Sequence, residues 1–379
     1  MSRVLFVVAS FVNFSGAEGT LVDYLKESTD ENYILVIGDH KDNCKCFSGI
    51  VPEDHFYFWN YNQYRNTSLT RFFLMNHEAK RVRRAYRESQ AKKWVDQKKV
   101  DVVYLNNTLE NALFRDMFQE YPTVSHVHDM VRHLRPAWGR CGARACKKSA
   151  AVITPSEAAA KELASFAVSQ EKIHVVYNGV DLQSTEYHRS YDTGTLTFGF
   201  VGGVSVRKGF DILVEIVNLV AEKCGDFKLK QVKLMIITNS EEDDYYRKCM
   251  GKLNQSVQVE VFHKLEHAQV AGMYQKMDIL LVPSRNDPAP LVVAEGISMG
   301  CCVLGARCDG IPEMLWSEAL VFAKEDAADA ARCTGNWLKK TFEEQQNIIS
   351  SCQNFVKERF NAQAKCVAIQ RIIKETGRK

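Results

Sequence analysis

The segment TFGFVGGVSVRKGFDILVEIVNLVAEK, residues 197–223, decides the fold. Its first five residues form an apolar run, two glycines and a basic pair follow, and residues 209–223 carry the apolar pattern of a helix. An apolar run that ends at a glycine turn is typical of a strand buried on both faces of a parallel sheet. The segment therefore predicts a strand, a turn and a helix, which together are the repeating unit of a doubly wound α/β domain.

The same unit recurs on both sides of this segment. Val/Ile/Leu-rich runs predict further strands at residues 4–9, 33–37, 100–105, 123–126, 151–153, 234–238, 257–262, 279–282 and 302–305. The stretch 182–196 is polar and rich in turn residues, which is typical of a domain boundary. We therefore predict two Rossmann-like, doubly wound domains, residues 1–182 and 196–340, that face each other across a cleft. We also predict C-terminal helices over residues 341–379, packing back toward the first domain.

The composition is that of an ordinary globular protein. Of the 379 residues, 46% are apolar and 25% are charged, which excludes a disordered tail, a collagen-like repeat and a small disulfide scaffold. The 49 basic and 46 acidic side chains give a net charge of +3. A nucleic-acid-binding protein is typically more basic than this, so we expect no nucleic-acid partner.

The cysteines and the apolar runs indicate where in the cell the protein is expected. The twelve cysteines contain no paired CxxC motifs, so we predict reduced, packed thiols and no metal site. The longest apolar run, residues 4–12, is far shorter than the ~20 residues that a membrane-spanning helix needs. Because this run leads into a glycine turn, it favours a buried strand over a signal peptide. We therefore expect a cytoplasmic protein.

Two acids eight positions apart straddle a predicted strand-to-helix turn in PSRNDPAPLVVAEG, residues 283–296. They are Asp287 and Glu295. Each carboxylate can accept hydrogen bonds from neighbouring hydroxyl groups, which suits the binding of sugars. Two surface acids at the start of a helix are the alternative interpretation.

A glycine turn and a basic pair follow the strand at 197–201. Gly202 and Gly203 allow the backbone to approach an anion, and Arg207 and Lys208 lie at the start of the next helix. Cations at a helix N-terminus oppose the helix dipole unless an anion joins them, so a diphosphate cradle is favoured over a solvated basic face.

Two features of the first half complete the candidate site. The turn SGAEG at residues 15–19, which contains Gly16, follows the strand at 4–9 and could present backbone N–H groups to an anion. His128 lies just after the strand at 123–126, where ligands collect in open α/β sheets. A lone histidine is more often structural, so both interpretations of His128 stay open.

These segments, with ITPSE at 153–157, VYNGVD at 176–181 and GIPE at 310–313, resemble the family-4 glycosyltransferases in the expected order from about residue 3 to residue 315. That family has the GT-B fold and uses nucleotide sugars with retention of configuration. The resemblance implies that His128 reaches the transferred sugar, Lys208 binds phosphate, Asp287 faces the sugar and Glu295 binds the ribose. It implies further donor contacts at Gly16, Gly202, Gly203, Arg207, His263, Ala289, Pro290 and Leu291.

The sequence departs from the family pattern at several positions. Ser15 stands where the family has a glycine, and Asp287 replaces a glutamate. Gly203 stands where the family usually has arginine, which removes one of two cations expected on the diphosphate; Arg207 is a candidate substitute. Pro290 replaces a glycine and so removes a backbone N–H.

The resemblance implies a retaining hexosyltransferase that moves a hexose from UDP- or GDP-hexose to a hydroxyl group of a glycan or glycolipid. No DxD triplet occurs in the sequence, which fits catalysis without a metal or other cofactor. The family resemblance implies front-face attack. Other GT-B enzymes, such as a sugar-nucleotide epimerase or a phosphorylase, and an inactive nucleotide-sugar-binding protein stay as alternatives. A dehydrogenase is disfavoured because no GxGxxG follows any predicted strand.

Two basic stretches concern the acceptor. Residues 65–99 contain eleven Lys/Arg and three Asp/Glu, and residues 131–148 contain six Lys/Arg and no acid. Either an anionic acceptor or peripheral contact of 65–99 with an anionic membrane would explain them, and so would a solvated helix face. Tyr86, Trp94 and Val95 interleave with the charges of the first stretch, which favours an interfacial helix.

Overall fold

The computed structural model describes residues 2–9, 16–37, 46–59, 77–107, 114, 117–134, 136–180, 184–187, 189 and 191–378. These residues fall into two compact units. The first comprises Met1–Pro155, Ala159–Val176 and Ala364–Lys379, and the second comprises Ser156–Ala158 and Tyr177–Gln363. The chain therefore changes unit at Val176, ahead of the polar stretch at 182–196.

The first unit is built on a parallel sheet of seven strands in the order β3-β2-β1-β4-β5-β6-β7. The strands are β1 (Arg3–Ala9), β2 (Glu31–Ile37), β3 (Phe56–Trp59), β4 (Val102–Leu105), β5 (Thr123–His126), β6 (Ala151–Thr154) and β7 (Ile173–Val175). Its helices are Gly16–Glu27, His77–Lys98, Pro136–Lys148, Glu157–Ser165 and Ala362–Gly377. Two of these helices cross the division, because Glu157–Ser165 and Ala362–Gly377 each begin in the second unit.

Strand β1 shows why the sequence run is continuously apolar. Val4, Phe6 and Val8 pack into one cluster, while Leu5 and Val7 pack into another on the opposite face of the sheet. A strand covered by helices on both faces has no solvent-exposed side, so alternation disappears from its sequence.

The second unit repeats this architecture with a parallel sheet of six strands in the order β10-β9-β8-β11-β12-β13. The strands are β8 (Thr195–Val201), β9 (Gln231–Thr238), β10 (Gln258–His263), β11 (Ile279–Val282), β12 (Cys302–Ala306) and β13 (Val321–Phe322). Its helices are Phe210–Ala221, Asp244–Met250, His267–Tyr274, Leu291–Ser298, Ile311–Met314, Ala327–Leu338 and Phe342–Arg359.

Each predicted strand is confirmed, with small changes of bounds, and each unit is Rossmann-like. Strands β3, β7 and β13 were not predicted. Each is only two to four residues long and lies at a sheet edge, so each carries too short a sequence pattern to be recognised.

The C-terminal helical region divides between the units. The helix Phe342–Arg359 belongs to the second unit, and the helix Ala362–Gly377 packs almost wholly within the first. In the first unit, Cys366, Ile369 and Ile373 join the cluster that contains β1. The eleven cysteines of the described chain are free thiols. Within the described part of the chain, no helix combines the length and apolar character required to cross a membrane.

Candidate functional site

Two loops at the carboxyl ends of adjacent strands form the centre of the candidate site in the second unit. The β8 loop comprises residues 202–209, and the β11 loop comprises residues 283–290; β8 and β11 are hydrogen-bonded neighbours. The strand order reverses at this pair, and ligands bind in open α/β sheets at such a switch point. The strand order therefore brings both loops to the same edge of the sheet.

The two loops approach each other closely at Gly209. This residue has φ +69°, and a Cβ built there would lie 2.0 Å from the carbonyl oxygen of Pro283. Only glycine adopts this conformation without strain and leaves room for the facing backbone. Gly202, with φ +141°, opens the same loop. The glycines therefore set the loop geometry, and the basic pair lies between them.

Lys208 and Asp287 form an ion pair across the loops, with 2.5 Å between Nζ and Oδ2. Their side chains are 20% and 7% exposed, so solvent screens the pair only partly. The backbone of Asp287 is held as well, because its N–H donates to Oδ2 of Asp309 and its carbonyl accepts from Gly310. The arrangement places one cation and one carboxylate together where the strands end.

Glu295 is the fifth residue of the helix Leu291–Ser298, which begins after the β11 loop. Its carboxylate is buried, and Oε2 accepts a hydrogen bond of 2.6 Å from the hydroxyl group of Tyr274. Burial, and then the negative charge of Glu295, raise the pKa of Tyr274 well above its usual value, so the phenol stays a donor. Sequence reasoning missed Tyr274, because its helix was predicted without any contact to the acid pair.

Pro290 is the N-cap of this helix, with φ −71°. It supplies no N–H, and Val293 donates to its carbonyl group. The start of the helix, which directly follows the β11 loop, carries the positive end of the helix dipole. Ala289, which precedes Pro290, is buried.

The remaining predicted donor contacts, Gly203, Arg207 and His263, differ in how close they lie to the two loops. Gly203 is exposed, has no positive φ, and a Cβ built there would meet only Oγ of Ser240, at 3.5 Å. Arg207 is exposed, and its guanidinium donates to the carbonyl group of Asn286 at 3.1 Å, on the β11 loop. His263 is exposed at the end of β10, two strands away from β8.

The first unit carries a different cluster at its strand ends. The rings of His126 and His128 lie 3.8 Å apart between centroids. Nδ1 of His126 is hydrogen-bonded to the hydroxyl group of Tyr104. Nε2 of both histidines is buried and has no hydrogen-bond partner among the described residues. Gly16 begins the helix Gly16–Glu27, and the preceding Ser15 lies outside the described residues.

Both histidines are neutral at ordinary pH. Burial, followed by the positive charge of Lys365, lowers the pKa of His128 to about 3. Burial, followed by His128 and Lys365, lowers the pKa of His126 well below its usual value. Lys365 is itself buried and lies 3.8 Å from the carboxylate of Asp23. Sequence reasoning missed Lys365, since it lies more than 230 residues from the histidines in the chain.

The structure thus brings together Lys208, Asp287 and the start of the helix that carries Glu295, with Arg207 bonded to the same loop. His263 lies apart from this group at the sheet edge. His128 and Gly16 belong to the first unit, at the ends of β5 and β1.

Comparison with known families accounts for most of the chain. The family described as Glycosyltransferase Family 4 matches residues 51–184, and the family described as Glycosyl transferases group 1 matches residues 185–355. The junction between the two matches lies close to the change of unit at Val176.

Curated relatives are distant. The chain is 22% identical to an MMP alpha-(1->4)-mannosyltransferase of Mycolicibacterium hassiacum over 57% of this chain and 55% of that protein. It is 27% identical to an uncharacterized glycosyltransferase of Methanocaldococcus jannaschii over 37% of this chain and 36% of that protein. The alignments thus span between about a third and about half of these relatives' own lengths.

Solved structures match over the whole chain. Anabaena Alr3699/HepE, crystallised in complex with UDP and glucose, superposes with a TM-score of 0.77 at 17% identity, over 99% of this chain and 100% of that one. Sucrose-phosphate synthase from Thermosynechococcus elongatus superposes with a TM-score of 0.74 at 13% identity, over 99% of each chain. At these identities the likeness concerns the fold alone.

Proposed function

Since the chain belongs to the family-4 glycosyltransferases of the GT-B fold, we propose that it transfers a hexosyl group from UDP- or GDP-hexose to a hydroxyl group of a glycan or glycolipid. The observation that carries the proposal is the ion pair of Lys208 with Asp287, which lies next to the helix that presents Glu295. These are the groups that a diphosphate, a sugar and a ribose require.

The donor is proposed to bind to the second unit with its diphosphate between the two loops. Lys208 would then be shared between Asp287 and the phosphates, and the start of the helix Leu291–Ser298 would add its dipole. Glu295, fixed by Tyr274, would accept hydrogen bonds from the ribose hydroxyl groups. The Anabaena protein, whose structures hold UDP and UDP-glucose, gives precedent for such a donor on this fold.

We propose transfer with retention and without a metal ion. The bond between the anomeric carbon and the phosphate oxygen breaks while the acceptor oxygen bonds to the same face of that carbon. The acceptor proton passes to a phosphate oxygen of the leaving nucleotide. Negative charge grows on the diphosphate in this step, and Lys208 with the helix dipole stabilises it from fixed positions.

His128 is proposed to contact the transferred sugar. A neutral imidazole with an unpartnered Nε2 can donate or accept one hydrogen bond, which suits a hydroxyl group. A charged imidazolium would instead suit a phosphate.

The acceptor is proposed to carry negative charge. Arg140, Arg144, Lys147 and Lys148 are exposed on the helix Pro136–Lys148, while Ala143 and Cys146 face the interior. Residues spaced by three and four lie on one face of a helix, so these four cations form a continuous basic stripe. An anionic headgroup or a phosphorylated glycan has the complementary charge.

The segment 65–99 supports membrane contact less than its sequence indicates. Residues 65–76 lie outside the described residues. In the helix His77–Lys98, Val95 is buried and Trp94 packs against Tyr33 and Tyr57. Tyr86, which is exposed, remains available for an interface. Peripheral membrane contact therefore stays a prediction.

A second candidate function is nucleotide-sugar binding without turnover. Pro290 at the N-cap favours it, because a backbone N–H that could hold the donor is missing there. Turnover, not binding, separates the two candidates.

The experiment is a thermal-shift screen with UDP, GDP, ADP and their hexoses, followed by a transfer assay. A nucleotide that binds the folded state raises the melting temperature by mass action. We expect a shift with UDP or GDP, release of free nucleotide with an added acceptor, and retained anomeric configuration by NMR with EDTA present. Absence of any shift would contradict the donor assignment, and binding without release would favour the second candidate.

A further inference from the structure

Arg285, the third residue of the β11 loop, links three segments of the second unit through its guanidinium group. Nη1 and Nη2 donate to the two carboxylate oxygens of Asp211 at 2.7 and 2.8 Å. Nη1 also donates to the carbonyl group of Val206 at 2.8 Å, and Nε donates to Glu325 at 2.6 Å. Because a bidentate arginine–carboxylate pair fixes orientation as well as distance, this side chain acts as a clamp.

The contacts of Arg285 lie on both sides of Lys208 along the chain. Val206 precedes Lys208 on the β8 loop, and Asp211 follows it in the first turn of the helix Phe210–Ala221. The backbone N–H of Arg285 donates to the carbonyl group of Arg207 at 2.8 Å. Arg285 therefore holds the β8 loop on both sides of Lys208, while its own loop carries Asp287 two residues later.

The clamp is charged over the working pH range. The hydrogen bonds from Arg285 are the main cause that lowers the pKa of Asp211 to about 2. The side chain of Arg285 is 22% exposed and that of Asp211 is 41% exposed, so the pair is partly screened by water. Its bidentate geometry and its third partner, Glu325, make it a small network rather than an isolated surface pair.

Among the described residues, Lys208 is held at its ammonium group by Asp287 alone, whereas Arg285 has three partners. A lysine side chain has four rotatable carbon–carbon bonds, so the position of its ammonium group depends on where the backbone holds the Cα. A diphosphate requires that group at a fixed place relative to the helix start after the β11 loop. Contacts between the two loops maintain this spacing, and Arg285 makes two of them, to the carbonyl groups of Val206 and Arg207.

We propose that Arg285 is a positioning residue that sets the spacing of Lys208 from the β11 loop and thereby the affinity for the diphosphate group of the donor. The inference rests on the proposed nucleotide-sugar donor. In this proposal Arg285 does not contact the donor.

The test compares the binding of nucleosides and nucleoside diphosphates by calorimetry on the full chain. The probes are uridine with UDP and guanosine with GDP. The readout is the dissociation constant of the nucleoside divided by that of its diphosphate, for the pair that binds. In Arg285→Met we expect this ratio to fall about tenfold, with nucleoside affinity unchanged. Arg285→Lys keeps the charge but loses the bidentate geometry, so we expect partial recovery.

The matched control is Arg332→Met, which removes an arginine that pairs with Asp329 on the exposed face of the helix Ala327–Leu338. This control should keep the wild-type ratio. Asp211→Asn, which removes the charge from the other side of the clamp with little change of size, should lower the ratio in the same direction. It serves as the second variant if Arg285→Met does not fold.

Lys208→Met separates this inference from the proposed function. If Lys208→Met lowers the ratio and neither Arg285→Met nor Asp211→Asn does, the positioning role is wrong and the donor site stands. An equal loss of nucleoside and diphosphate affinity in Arg285→Met would also overturn it, because that result indicates a general structural role. If the wild-type chain binds none of the four probes, the proposed function fails and this inference fails with it.

Discussion

The strand ends of the two units carry polar groups of opposite character. In the second unit, the polar groups are charged and paired: Lys208 with Asp287, Arg285 with Asp211, and Glu295 with the phenol of Tyr274. In the first unit, His126, His128 and Asn106 each have a buried nitrogen or oxygen atom without a hydrogen-bond partner among the described residues. Both clusters lie at the carboxyl ends of the parallel strands of their sheets.

The difference indicates a division of chemistry. Fixed, paired charges suit an anion whose charge grows during a reaction, because they need no reorganisation. Neutral, unpartnered groups suit uncharged hydroxyl groups, since a buried polar atom that gains a partner recovers its desolvation cost. The contrast therefore fits the proposed roles, in which the second unit stabilises the diphosphate and His128 of the first unit contacts a sugar hydroxyl group.

The largest expected effect tests the charged side of the contrast. Lys208→Ala should lower transfer turnover about a thousandfold, because the cation that stabilises the leaving diphosphate is lost. Glu295→Ala should also lower it severely, and both variants should keep the wild-type circular dichroism spectrum. Lys248→Ala, on an exposed part of the helix Asp244–Met250, is the control. Full activity of either site variant in a steady-state assay would contradict the proposed role of the charged groups in the second unit.

The next effect tests the neutral side. His128→Ala should lower transfer about a hundredfold and leave the dissociation constant of the nucleotide unchanged, because its proposed contact is with the sugar. His133→Ala, which removes an exposed histidine of the same unit, is the matched variant and should keep wild-type kinetics. Calorimetry and steady-state kinetics on the same samples measure both quantities. Unchanged transfer kinetics in His128→Ala would remove it from the site.

A third effect follows from the pKa values of the first unit. His128 has a pKa of about 3 when folded, while an unfolded histidine titrates near pH 6.5, so the unfolded chain binds more protons between these values. The stabilising contribution of the neutral histidine is thus fully present above about pH 6.5 and falls on acidification, by about 2 kcal/mol for His128 between pH 7 and pH 5, and the lowered pKa of His126 adds to the fall in the same direction.

Melting temperatures at pH 7 and pH 5 measure this effect. The double variant His126→Asn with His128→Asn should lose less stability on acidification than the wild type does, whatever its stability at pH 7. His263→Asn should follow the wild type, since that side chain is exposed. An identical pH dependence in the wild type and the double variant would show that the histidines are not buried in the neutral state.

The smallest expected effect comes from adding a second cation to the β8 loop of the second unit. Gly203→Arg should increase the affinity for UDP or GDP a few-fold, because the backbone there has no positive φ and a Cβ has room beside Ser240. The gain should shrink in high salt. Gly225→Arg, which adds the same charge at an exposed position after the helix Phe210–Ala221, is the control and should leave the affinity unchanged. Weaker binding by Gly203→Arg would show that the site has no room for a second cation.

Several parts of the fold and the candidate site could be predicted from local patterns. Strands β5 and β11 were predicted with the bounds that the structure has, and β11 is a continuous apolar run that ends at Pro283. The glycine turn after β8 was also predicted, and Gly209 proves to be required where two backbones approach. The short edge strands β7 and β13 could not be predicted, because three or two residues carry too little pattern.

The partners of the candidate residues could not be read from the same patterns. Lys208 and Asp287 were each singled out, yet their ion pair joins residues 79 positions apart in the chain. Arg285 looked like an ordinary member of the β11 loop, and its contact with Asp211 spans 74 positions. Lys365 approaches the histidines only because its helix packs within the first unit.

The sequence by itself determined the two α/β halves, the glycine turns and the spacing of Asp287 from Glu295, since each depends on residues close together in the chain. The tertiary structure decided which side chains meet: Lys208 with Asp287, Tyr274 with Glu295, and Lys365 with the buried histidines. The physical reason is that strand order and helix packing bring distant segments together, and burial then sets the charge of whatever they enclose.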